Sequence, residues 1–387
     1  MAKAKNCLSA SLACLTVFCT AVVGFSGYKV VSAALNESDN TVIADTFGGN
    51  SSVKEIPELE QVNSINSRSG KITVSVGGKP FGIKLYTDGV IIVGCENVVT
   101  DKGAVNPAEL AGLRNGDVIT HINAQRVMRN SEVSSVLSQS SGENIVMTVR
   151  RGSETLDINF KTVLCVTDGA YKAGLWIRDS SAGIGTLSFY DAESGLFCGL
   201  GHGVCDIDTG ELLPLYEGEA VGAKINDIIR GSQGATGELS GTFTDDEIGP
   251  VFMNRSDGVY GIMKSIPEVS REYEIANISE ITEGPAQIIT TLDANGAKSY
   301  DIEITKVNKN STDSKDLVIK VTDASLIAQT GGIVRGMSGS PIIKDGKLIG
   351  VVTHVFVNDP TGGYGIFAVS MYNTMMSQNS ETKRNAA

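Results

Sequence analysis

The sequence predicts a mainly β protein that follows one apolar N-terminal helix. Three observations point there. The chain carries 44 glycines and only 9 prolines in 387 residues, a balance that suits turn-rich β structure better than long helices. Short segments alternate apolar and polar side chains, as in Lys71 to Val76 and Asn144 to Val149. No charge interrupts the run from Cys7 to Phe25, which is bracketed by Lys3 and Lys5 before it and Lys29 after it.

That run defines the first element, residues 1–30. Nineteen helical residues rise ~28 Å, about the hydrocarbon thickness of a bilayer. Two readings stand: a retained single-pass signal anchor with its positive end in the cytoplasm, or a cleaved signal peptide with Val31-Ser32-Ala33 as the small-residue site. Either way the rest of the chain is exported. Residues 31–69 are rich in Asn, Ser, Asp and Glu with little periodicity, and read as a flexible linker.

Residues 70–163 form the first predicted domain. Strand alternation recurs in Gly89 to Gly94, then Pro107 to Ile119 reads as a short helix ending at Gly112, an Asn115-Gly116 turn and a strand entered through Asp117. A helix over 130–139 and the strand from Asn144 follow. His121 falls inside a strand and is expected to pack. The Ala111-Gly112-Leu113-x-x-Gly116-Asp117-x-Ile119 core resembles a PDZ domain of the circularly permuted type found in bacterial proteases. The resemblance implies peptide termini as ligands, with Phe81, Gly82, Ile83 and Leu85 as the binding loop and strand edge.

From residue 164 the texture changes to short strands and glycine-rich turns, continuing to a short helix near 372–376. Such a pattern suits a pair of β-barrels or a sandwich. Residues 377–387 read as a polar tail. A net charge of −12 without a Lys/Arg cluster excludes a nucleic-acid partner.

The chemistry concentrates in two loops. A general base near neutral pH is most often histidine, and the chain has three, at 121, 202 and 354. His202 lies between Gly201 and Gly203, which leave room for a substrate backbone to approach. The Gly336-Met337-Ser338-Gly339-Ser340-Pro341 turn exposes a serine while aiming successive amides at one point. It resembles the nucleophile loop of chymotrypsin-like proteases, which implies Ser338 as nucleophile and the backbone amides of Gly336 and Ser338 as oxyanion hole. Pro341 to Thr353 reads as a hairpin returning to the site, and alternation turns His354 to the face opposite Thr353. Cys198 and Cys205 bracket His202, and are either a disulfide bracing its loop or two buried thiols.

Together these stretches resemble the stage IV sporulation protein B family of signalling serine peptidases. The resemblance is carried by Lys172 to Asp179, Gly183 to Thr186, Gly201-His202-Gly203, Thr330 to Pro341 and Thr353 to Pro360. It implies a chymotrypsin-like double β-barrel peptidase domain over 164–376 behind the PDZ domain. It implies export across the forespore membrane into the space facing the mother cell. There the enzyme processes itself in trans and cleaves a membrane-bound regulator, so that the late mother-cell sigma factor is activated. It also points to Asp323 as the acid of the triad. Asp245, Asp246 and Asp257 suit the usual chain spacing better. No nucleotide loop, haem motif or His-Glu-x-x-His is present, so no cofactor and no metal are expected. The alternative is a catalytically inert PDZ adaptor that binds exported peptides.

Overall fold

The computed structural model describes residues 71–385 apart from 268–270 and 312–313, with side chains to 377. The apolar run and the linker lie outside the described residues. Among the described residues, no helix is long and apolar enough to cross a membrane.

One strand organises the first half of the chain. Pro80–Cys95 runs sixteen residues through Tyr86-Thr87-Asp88-Gly89 without reversing. Its first half pairs on one side with Ser180–Thr186 and on the other with Leu215–Gly222. From Leu175–Tyr190 the ladder continues through Leu196–Gly199, Gly258–Ile262 and Glu238–Arg255 to Leu215–Ile229, which returns to the starting strand. These six strands close a barrel around Phe81, Ile83, Leu85, Leu187, Phe197 and Val259. Closure removes the free edges that an open sheet would expose.

A second antiparallel ring follows. Gly284–Thr291, Ala297–Val307, Leu317–Val321, Gly362–Phe367, Lys347–Val355 and Pro341–Lys344 pair in that order, and the last returns to the first through Ile288 and Ile342. Ile288, Ile302, Ile319, Ile342 and Val352 fill it, each almost wholly excluded from water. The helix Ala368–Asn385 leaves this ring and packs Met371 and Met375 beside Phe189 and Tyr260 of the first barrel.

The PDZ-like sequence forms a module inserted between the first two strands of barrel one. Its sheet runs Glu154–Lys161, Asn144–Arg151, Val118–Ile122, then the second half of Pro80–Cys95, then Leu175–Arg178. The helix Asn130–Gln139 buries Val133 and Leu137 against Ile92, Ile119, Met147 and Val149.

This overturns the boundary expected at residue 70 and the PDZ binding residues expected from it. Phe81, Ile83 and Leu85 are core residues of the first barrel, and both edges of their strand are already paired. At Gly82 a Cβ would lie 2.3 Å from the Phe243 ring. No edge remains there for a peptide. Cys198 and Cys205 are free thiols rather than a disulfide, the first fully buried. His121 sits in its strand with Nδ1 3.1 Å from the Thr120 hydroxyl.

Candidate active site

The two glycine loops meet where the barrels touch. The Gly201-His202-Gly203 loop leaves the end of Leu196–Gly199 in barrel one, and Gly336 to Pro341 enters the first strand of the Pro341–Val355 hairpin in barrel two. Thr186 of barrel one ties them together. Its N–H donates to Ser338 O (2.9 Å) and its hydroxyl donates to Gly336 O (2.9 Å). Gly339, at φ 99°, is the close-approach point. A Cβ there would lie 2.0 Å from Thr186 O and 2.8 Å from Leu200 N. From the other side, Gly201 approaches Thr353 so closely that its Cβ would lie 3.0 Å from Cγ2.

Ser338 is partly exposed, whereas Ser340 is buried and spends its hydroxyl on Met337 O at 2.6 Å. Only Ser338 is placed to meet a substrate. Its Oγ donates to Thr353 O (2.7 Å), so the hydroxyl must rotate before it can share its proton with an imidazole. Among the described residues, the amides of Gly336 and Ser338 donate to no protein acceptor, so both remain available to an oxyanion.

His202 holds its Nδ1 2.8 Å from Gly203 O. A carbonyl can only accept, so Nδ1 carries the proton and Nε2 keeps the free lone pair that a base needs. Burial lowers the His202 pKa below the ordinary imidazole value, opposed by the bond to Gly203. His354 stacks on His202 with ring centroids 4.8 Å apart. Its pKa falls to about 3, chiefly through burial and then through the neighbouring His202 and Lys315. The register slips by one residue between Val352 and Val355, so simple alternation does not describe the strand at His354. That irregularity adds a residue to the strand and re-aims the side chain, a use of bulges common beside functional sites.

Asp323 differs from its expected place. Its carboxylate accepts from Leu326 N (2.9 Å) and Asp301 N (3.4 Å), capping the helix Ala324–Thr330. No hydrogen bond joins it to His202. The helix it caps leads through Gly331 and Gly332 into the nucleophile loop, so the residue supports that loop's position. Asp257, considered on spacing, takes the Thr374 hydroxyl at 2.5 Å, and burial raises its pKa. Two residues were given no role from the sequence, although Thr186 ends a stretch that carries the family resemblance. Thr186 braces the nucleophile loop, and Asn254 binds Val204 N, Val204 O and Leu213 O beside His202.

Residues 169–372, just over half of the chain, match the family SpoIVB peptidase S55, and the chain belongs to that family. Residues 104–151 match a PDZ domain. A relative from Chlamydia trachomatis serovar D, the "Probable periplasmic serine endoprotease DegP-like", is 32% identical over 129 residues. That match covers 33% of this chain and 23% of the relative. Solved structures with partial likeness include the active form of the Rv3671c protease from M. tuberculosis (12% identity, 51% of this chain, 74% of that chain, TM-score 0.32). Another is the HtrA-type protease AlgW with tripeptide (14% identity, 51% of this chain, 56% of that chain, TM-score 0.31). Likeness at those scores is weak.

Proposed function

We propose that this chain is a serine endopeptidase of sporulation signalling. Ser338 attacks the peptide carbonyl, His202 Nε2 takes its proton, and the Gly336 and Ser338 amides receive the oxyanion. His202 then protonates the leaving amine, and water hydrolyses the acyl-enzyme by the same proton path. Base and nucleophile come from different barrels, which supports a chymotrypsin-like reading. The observation that carries the reading is the close seating of the nucleophile loop on the histidine loop through Thr186 and Gly339. An inert adaptor has no use for two serine-peptidase loops packed at this separation.

Family membership supports the biological role: export across the forespore membrane, self-processing in trans, and cleavage of a membrane-bound regulator that leads to the late sigma factor. The Asn-, Ser-, Asp- and Glu-rich segment over 31–69 is the one we assign to self-processing, since composition of that kind suits proteolytic nicking. Purified Ser338→Ala should fold and fail to process itself or a partner. Processing retained in that variant contradicts the proposal.

A further inference from the structure

The inserted module grips the loop that carries His202. The grip runs through Leu175–Asp179, the stretch where the module passes into barrel one. Leu175 and Ile177 pack against the module core. On the alternate position, Arg178 reaches out of the module. Its guanidinium binds Asp206 (2.5 Å) and Asp208 (2.6 Å), both in the loop that follows His202. The Asp206 side chain is only 1% exposed, and its other oxygen takes the amides of Asp208 and Thr209 at 3.0 Å each. A carboxylate so enclosed needs its cation, so the loop's shape depends on Arg178. A second contact is independent of charge. Ile91 and Val118 of the module cluster with Leu213 and Val204 of the same loop.

The module's helix holds the other side of this strand. Asn130 N donates to the Asp179 carboxylate (2.8 Å), and Asn130 Nδ2 donates to Ile177 O (3.3 Å). That carbonyl points away from the Pro80–Cys95 strand, because Ile92 opposite it spends its N–H on Asp117 O and its C=O on Gly116 N. Strand addition is how PDZ-type domains take extended peptides, and this edge is the one facing the helix.

We propose that Arg178 is a positioning residue: it ties the state of the PDZ-type module to the loop that orients His202. This rests on Ser338 and His202 being nucleophile and base. Arg178 does not touch the reacting atoms. It acts by fixing Asp206, and through the short Gly203-to-Asp206 span it fixes the carbonyl that holds the His202 tautomer. The module thereby works as a lever on the catalytic loop.

The test uses the full chain with Arg178→Gln, Arg178→Lys, Asp208→Asn and Asn130→Ala. Two readouts are taken: the rate of fluorophosphonate labelling and the NMR titration of the three histidine rings. The expected result is a labelling rate lowered about tenfold or more in R178Q, with partial recovery in R178K and a smaller change in D208N and N130A, as loop misplacement predicts. The His202 titration should shift in R178Q and N130A. If R178Q is unstable, D208N and N130A carry the test, since their side chains are not enclosed carboxylate partners. Wild-type labelling rates together with an unmoved His202 titration in the folded variants overturn the proposal. A wild-type protein that does not label, but whose His202 titration moves in R178Q, instead sinks the peptidase reading and leaves the lever standing.

Discussion

Gly339→Ala tests whether the nucleophile loop is seated on the histidine loop as described. Two costs add. Alanine at φ 99° occupies backbone space that L side chains avoid, a penalty of about 1–2 kcal/mol. The new methyl would lie 2.0 Å from Thr186 O, where ordinary carbon–oxygen contact needs about 3.4 Å. The loop must therefore withdraw by about 1 Å or more, breaking the 2.9 Å bond from Thr186 N to Ser338 O, worth about 0.5–1.5 kcal/mol. The total, roughly 1.5–3.5 kcal/mol, is less than a typical domain stability of about 5–15 kcal/mol, so most of the protein stays folded. Catalysis should suffer more, because misplacing a reacting group by about 1 Å costs about 10²-fold. Urea unfolding measures the first quantity and fluorophosphonate labelling the second. Gly346→Ala is the control: its φ is 75° but nothing lies within 4 Å of the added Cβ, so it pays only the backbone cost. Gly339→Ala labelling at the wild-type rate would refute the seating.

Asp323→Ala should lose a helix cap worth about 0.5–2 kcal/mol, whereas Asp323→Asn keeps a side-chain acceptor for Leu326 N and labels within about tenfold of wild type. A fall of about 10⁴-fold in the asparagine variant would instead make Asp323 the acid that orients the base. Phe81→Ala should destabilise the protein by about 3–5 kcal/mol in urea, since the ring is wholly buried in barrel one. A variant of full stability with altered peptide binding alone would return Phe81 to the PDZ groove. The acid limb of labelling should lie below pH 6.5, because burial disfavours the His202 imidazolium and the base stays neutral to lower pH. His354 adds a stability effect with the same sign: its folded pKa of about 3 lies under the unfolded value, so stability is complete above pH 6.5 and lost as pH falls toward 3. His354→Gln should flatten urea stability across that window.

The loops that matter most were legible because their chemistry is local. Glycines flanking His202 and Ser338 announce close backbone approach, and the structure brings those loops together. The Pro341-to-Thr353 hairpin was equally legible, and its two strands pair from Pro341–Val351 to Lys344–Lys347. What escaped depends on partners far away in sequence. Asp88-Gly89 looks like a turn, yet the strand runs through it because Arg126 and Arg150 hold Asp88, and Thr87 binds Gly89 O and Asp179 O. The PDZ resemblance placed Phe81 to Leu85 in a peptide-binding loop and strand edge, and only the long-range pairing of this strand puts them in barrel one. The register slip beside His354 is likewise one that alternation cannot foresee. Asp323 carried a visible cap signature, an acid just before a helix, which fits its observed bonds better than its expected contact with His202.

The central claim is that Ser338, activated by His202, is the nucleophile. Fluorophosphonate labelling of the purified chain, mapped by peptide mass spectrometry, tests it most directly. The account predicts one labelled residue, Ser338, with labelling lost in His202→Gln. Label on Ser340, or labelling of Ser338 that persists without His202, would contradict it.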